Sequence, residues 1–304
     1  MTFTGLFVPL VTPFTAGDDI ATDALEGLAH TVLDAGATGI VALGTTAEAA
    51  TLTAEERQLV LEICARVCTE RNAPLIVGTG SNSTAASINS LAALSTSVAA
   101  ALTVVPYYTR PSEAGVLAHF RQLAATSPVP LIVYNVPYRT SRTLSADTLD
   151  ALARIPNIAG FKHAIGGIDD TTVTFMSTLA PGIDVLAGDD LHAAPLLALG
   201  ASGGILASGN VAPAAFTALI SAWRTGTLTE ARPHAHRLAP LSAALFAEPN
   251  PTVIKAVLAA RGQIPTPAVR LPLLPASEPA VTAALEALSR ITEFDEVVPT
   301  ASYR

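Results

Sequence analysis

Lys162 stands near the end of an apolar run, IAGFKHA at 158–164, in a chain with only 14% charged residues. Burial disfavours an ammonium and lowers its pKa. A neutral amine is a nucleophile toward a carbonyl, and the product is an imine. The competing readings are a lysine whose stem lies on apolar surface with its head in water, or one paired with Asp189 or Asp190. Tyr134 lies in a second such run, PLIVYNVP at 130–137. A phenol there can shuttle the protons that imine formation moves, or it can simply pack. Thr45 and Tyr108, closing GIVALGT and ALTVVPYY, can relay a proton onward, although each alone says little. The peptide N–H groups around Thr45 and Thr46 can bind a carboxylate, as oriented amides do; otherwise GTT is an ordinary turn. Arg139 can grip a second carboxylate through two parallel hydrogen bonds, or it is an exposed arginine.

These residues need elements to bring them together. Short apolar runs recur at 6–13, 39–45, 74–80, 101–108, 130–137, 158–164, 184–190 and 203–209, with helical patterns between them. The runs are continuous rather than alternating, as in parallel strands buried on both faces. Eight strands each followed by a helix predict a (β/α)8 (TIM) barrel, for which about 250 residues is typical. A doubly wound sheet is the alternative, but no GxGxxG follows the first strand. The barrel occupies 1–225. Three further helical patterns, at 227–247, 251–262 and 277–294, form a C-terminal extension over 226–304 that packs on the barrel, with a loose tail DEVVPTASYR. Glu248-Pro249-Asn250-Pro251 reads as a turn between two of them. The clearest helix is 53–73, with Thr53 and Glu56 as a capping box and apolar Leu59, Ile63 and Val67. Cys64 and Cys68 share a face of it and read as core residues.

In such barrels the active site lies at the C-terminal ends of the strands. Those ends supply Thr45, Thr46 and Glu48; Tyr107, Tyr108 and Arg110; Tyr134, Asn135 and Arg139; Lys162 and His163; Asp189 and Asp190; Ser208 and Asn210. Other motifs fail on context. GASGG at 200–204 follows a helix and precedes a strand, the reverse of a serine elbow. The pair His234 and His236 lacks a third ligand, and Asp189-Asp190 with His192 lacks a convergent fourth. Two acidic residues after the seventh strand would repel a phosphate.

The 304 residues carry a net charge of −8 and are half apolar. That argues against nucleic-acid or anionic-membrane partners. Two cysteines make no disulfide framework. The N-terminus shows neither a basic region nor a cleavage pattern, and the uncharged stretch 72–109 is broken by polar residues and turns, so it reads as a strand plus a neutral helix. A cytoplasmic protein is expected.

The ordered set VTPF, GTTAE, PYYTRP, YNVPYRT, GFK, AGDD and EPNP resembles the dihydrodipicolinate synthase/N-acetylneuraminate lyase family of imine-forming aldolases, over about residues 4–290. The resemblance implies a pyruvate imine on Lys162, Tyr134 as proton shuttle, and Thr45 and Tyr108 as its relay. It implies that Tyr108 reaches in from a neighbouring subunit of a dimer or tetramer. Thr45 and Thr46 would hold the 2-oxo acid carboxylate, with Gly188 and Ile205 lining the same pocket. YNVPYRT is closer to the synthases, in which the arginine matching Arg139 grips aspartate semialdehyde; no metal or organic cofactor is implied. A lyase acting on a sugar acid or another aldehyde, and a non-catalytic ligand-binding paralogue, are the other readings. Three departures stand out. Ala47 replaces a glycine, which would strain the loop if that position needs positive φ. His163 stands where synthases usually carry glutamate. Ala49, Ala54 and Ala86 occupy the matching positions of a lysine-feedback site, which argues against lysine inhibition.

Overall fold

The structure is a computed structural model that describes the backbone of residues 2–297 and the side chains of residues 2–291. Eight parallel strands close a barrel in chain order: β1 (Gly5–Pro9), β2 (Gly39–Ala42), β3 (Leu75–Gly78), β4 (Ala100–Val104), β5 (Leu131–Asn135), β6 (Ile158–His163), β7 (Asp184–Ala187) and β8 (Gly203–Ile205), with β8 pairing back onto β1. Helices α1 (Thr22–Asp34), α2 (Ala54–Glu70), α3 (Thr84–Ala92) and α4 (Glu113–Thr126) follow the first four strands. After β5 come the single turn α5 (Pro137–Thr140) and α6 (Ala146–Ala153); α7 (Asp170–Ser177), α8 (Ala193–Ala198) and α9 (Pro213–Thr225) follow the last three strands.

Period-2 alternation splits each strand between two cores. Phe7, Val41, Ile76, Leu102, Ile132, Leu186 and Ile205 fill the barrel interior. Leu6, Val8, Ile40, Leu75, Val133, Phe161 and Val185 face the helices. Both faces are apolar, which is why the runs read as continuous. The strands are shorter than their apolar runs. Leu10 and Val11 are buried beyond the end of β1, and Thr45–Ala47 and Ala207–Asn210 turn into short 3₁₀ segments. Hydrophobicity reports burial, which continues past the last ladder bond.

The capping box forms as expected, with the Thr53 side chain accepting from Glu56 N–H and Glu56 accepting from Thr53 N–H. The buried stripe of α2 is Val60, Ile63, Cys64, Val67 and Cys68, whereas Leu59 is exposed. That set follows the i, i+3, i+4, i+7 rule from Val60, so Ile63 and Val67 are core as expected and Leu59 is not. Both thiols are free, and burial pushes each pKa up to about 12, consistent with inert core residues.

The three helices beyond the barrel are α10 (Leu228–Leu245), α11 (Thr252–Ala260) and α12 (Glu278–Val297). Helix α10 packs on α9 and α12, and it touches the short turn Asp190–His192 after β7. Helix α12 runs on to Val297, past the expected end at 294, so residues 295–297 of the expected loose tail are helical; residues 298–304 lie outside the described residues. Among the described residues no helix is long and apolar enough to cross a membrane.

Candidate active site at the mouth of the barrel

Strand register sets the geometry. Tyr134 on β5 pairs with Lys162 on β6, and Lys162 pairs with Leu186 on β7. Alternation then turns Tyr134 and Lys162 into the barrel, above Ile132, Leu186 and Ile205. Lys162 is 6% exposed, and its Nζ lies 4.4 Å from the centroid of the Tyr134 ring. Its stem lies across Gly188. A Cβ at 188 would stand 2.7 Å from Lys162 Cγ and 2.9 Å from Cε, so any other residue would displace the lysine.

Burial brings the Lys162 pKa down to about 8, against the pull of Asp190. Among the described residues no carboxylate forms an ion pair with it: Asp189 stands 3.6 Å from His192, and Asp190 accepts the backbone N–H groups of Ala207 and Ser208. Asp190 is itself buried, which pushes its pKa up to about 6. Burial also pushes Tyr134 up to about 12, while Arg139 and Thr45 pull it the other way. The pair is therefore a readily neutral amine lying over a protonated phenol.

The turn expected to bind a carboxylate follows β2. Thr45–Ala47 make one 3₁₀ turn, and the left-handed position falls on Glu48, with φ 53°. Ala47 carries no positive φ, so alanine does not strain this loop. Thr46 is buried, and its hydroxyl accepts from the Asn250 amide at 3.0 Å. A cavity of about 550 Å³ opens between Arg139, Gly188 and Asp189 on the barrel and Ser242, Phe246 and Asn250 on the C-terminal segment. Sequence reasoning treated Asn250 only as part of a turn. It also passed over Tyr138, whose hydroxyl accepts from Arg139 Nε at 3.1 Å and whose ring faces the guanidinium. The dipeptide Tyr138-Arg139 was the available signal for that pair.

Other rim candidates do not converge. Asn135 and His163 follow inward residues and face outward, against α7: His163 Nε2 is 3.0 Å from Thr172 Oγ1, and Nδ1 is 3.4 Å from Asn135 Nδ2. Asn210 ties Pro9 and Ala207 carbonyls together, and Arg110 donates to the Ser141 carbonyl. Tyr108 is 87% exposed in the single chain, at φ 66°; the cavity is lined by neither Tyr108 nor the buried Lys162, Tyr134 and Thr46, and it reaches the lysine's surroundings through Gly188. Ser202 of GASGG, between α8 and β8, donates to the Phe3 and Val185 carbonyls, with no elbow. No trio of potential metal ligands occurs among the described residues.

The model of the dihydrodipicolinate synthetase family matches residues 2–291. The chain belongs to that family. It is 41% identical over 272 residues to a 4-hydroxy-tetrahydrodipicolinate synthase of Syntrophus aciditrophicus, covering 89% of this chain and 92% of the relative. A second relative of that name, from Neisseria meningitidis serogroup B, is 38% identical over 90% of this chain and 94% of its own length. Among solved structures, the 4-hydroxy-tetrahydrodipicolinate synthase of Methylacidiphilum fumariolicum SolV superposes with a TM-score of 0.92 at 33% identity, over 97% of this chain and 98% of that one. A chloride-inhibited dihydrodipicolinate synthase from Acinetobacter baumannii, solved with pyruvate, gives a TM-score of 0.90 at 37% identity, over 95% and 98%.

Proposed function

We propose that this family member is a 4-hydroxy-tetrahydrodipicolinate synthase that condenses pyruvate with L-aspartate 4-semialdehyde through an imine on Lys162. The observation that carries this reading is the lysine itself, buried over the Tyr134 ring, lying on Gly188, with a pKa near 8. The relatives' shared name supplies the product, a solved relative complexed with pyruvate supplies the first substrate, and the family resemblance supplies the semialdehyde. Neutral Nζ attacks the keto carbon, and the carbinolamine loses water to give the imine. The Tyr134 hydroxyl passes the protons, with Thr45 beside it. The amides of Thr45 and Thr46 hold the pyruvate carboxylate, and Ile205 forms the apolar floor. Loss of a methyl proton gives the enamine, whose carbon attacks the aldehyde. The semialdehyde's amino group then displaces Lys162 as the ring closes.

Arg139 grips the carboxylate of the semialdehyde from the rim of the cavity. Tyr108 completes the relay from a second copy of the chain, which fits a tyrosine left 87% exposed in the single chain. The active unit is then a dimer, or a tetramer built from two such dimers. Free cysteines suit the cytoplasm. Steady-state kinetics with both substrates test the assignment. Arg139→Ala is expected to raise the KM for the semialdehyde at least tenfold and leave pyruvate binding within a few-fold. Failure to consume aspartate semialdehyde, or an Arg139→Ala defect confined to pyruvate, contradicts the assignment.

A further inference from the structure

A second buried lysine lies away from the reacting centre. Lys255 on α11 and Glu48 after the carboxylate-binding turn form an ion pair at 2.7 Å, with side chains 0% and 1% exposed. The other Glu48 oxygen accepts Arg270 N–H at 2.8 Å. Lys255 Nζ stands 4.0 Å from the Phe14 ring centroid, and the Arg270 guanidinium stands 4.3 Å from the same centroid. The guanidinium is held in turn by Glu56 and Asp18. Two residues before α11, Asn250 donates to Thr46. From the barrel side, the Thr12 hydroxyl donates to the Ala47 carbonyl at 2.8 Å.

Three consecutive residues, Thr46, Ala47 and Glu48, are thus each fastened, two of them by the C-terminal segment. Taking both charges out of water is costly, and well-packed apolar residues stabilise a fold about as well. Stability alone therefore gives no reason for an ion pair here. A directional bond on Glu48 does something an apolar contact cannot. It fixes the rotation of a residue in left-handed conformation, and with it the direction of the N–H groups just before it.

We propose that the Glu48–Lys255 pair is a latch by which the C-terminal helices hold the Thr45–Thr46 amides in the orientation that binds the 2-oxo acid carboxylate. Glu48 and Lys255 are positioning residues; neither touches the reacting atoms. The kinetic part of this proposal rests on the pyruvate reading above, and the structural part does not.

The test is the paired replacement Glu48→Leu/Lys255→Met, which removes both charges together. Two readouts are taken on the full-length protein. Hydrogen exchange without ligand is expected to speed up at least tenfold in peptides covering 44–48, with peptides from β5 and β6 unchanged. Pyruvate half-saturation, read both by turnover and by borohydride trapping, is expected to rise at least tenfold while kcat stays within about threefold. Unchanged exchange at 44–48 in the folded pair variant overturns the latch. Faster exchange with unchanged half-saturation overturns its role in carboxylate binding. If the wild-type protein traps no pyruvate, the function assignment fails, and exchange alone decides whether the latch orders the loop. Should the pair variant not fold, Glu48→Gln keeps the shape and the bond to Arg270, and the same two readouts are expected to move in the same direction by a smaller factor; no movement there overturns the proposal.

Discussion

Lys162 and Lys255 are both buried, and burial lowers the pKa of each, but their partners differ. The charge of Lys255 is paired with Glu48, and its Nζ lies over the Phe14 ring. Lys162 makes no ion pair among the described residues, and burial lowers its pKa to about 8 against the more distant pull of Asp190, Tyr138 and Asp189. Lowering the pKa of a basic group enlarges its neutral fraction at any given pH. The rate of pyruvate imine formation is therefore expected to fall about tenfold per pH unit below about 8 and to level off above it. Stopped-flow trapping across pH 6–9 checks this, and a flat profile contradicts it. The burial of Lys162 was legible because the lysine stands within an apolar run. The same signal marked Lys255 in PTVIKAVLAARG. It went unread because a lysine in a helix is ordinary, and its partner lies 207 residues away.

At the scale of the element, β5 and β6 carry the proposed chemistry on one face and a staple on the other. Tyr134 pairs with Lys162 inside the barrel, and Asn135 pairs with His163 outside it. The Thr172 hydroxyl donates to Asp169 at 2.8 Å, so its lone pair accepts from His163 Nε2–H, and Nδ1 accepts from Asn135. His163 thus bonds β6 to the first turn of α7 and to β5, behind the lysine. His163→Ala is expected to cost about 1–3 kcal/mol of stability through the groups it leaves unpaired. Borohydride trapping at Lys162 is expected to persist, since the side chain never enters the cavity. Urea unfolding and trapping on one preparation check both halves; loss of trapping with stability intact contradicts this placement. The sequence held the information needed. Two neighbours on a strand cannot both face inward, so assigning Lys162 to the mouth already sent His163 outward. Reading strand ends as a pooled list of polar residues discarded that alternation, as it did for Asn135.

Across the whole molecule, two buried histidines link folding to pH. Burial holds both His119 and His163 down to about 4, against an ordinary value near 6.5. In the unfolded chain they take up protons below about pH 6.5, whereas in the folded chain they stay neutral until about pH 4. Stability is then fully present above about pH 6.5 and is lost as pH falls through that window. The urea midpoint is expected to drop between pH 6.5 and 4, with a slope reduced in His119→Gln/His163→Gln; an unchanged slope contradicts it. The barrel itself was readable from eight two-sided apolar runs. The roof of the site was not. Ser242, Phe246 and Asn250 meet Arg139 and Gly188 only because α10 folds back over the mouth, and no local pattern encodes that contact.

The most direct test is the mass of the protein after incubation with pyruvate and reduction by borohydride. The account predicts one pyruvate-sized adduct per chain, mapped to the peptide containing Lys162 and absent in Lys162→Ala. An unmodified wild-type chain, or an adduct that survives in Lys162→Ala, contradicts it.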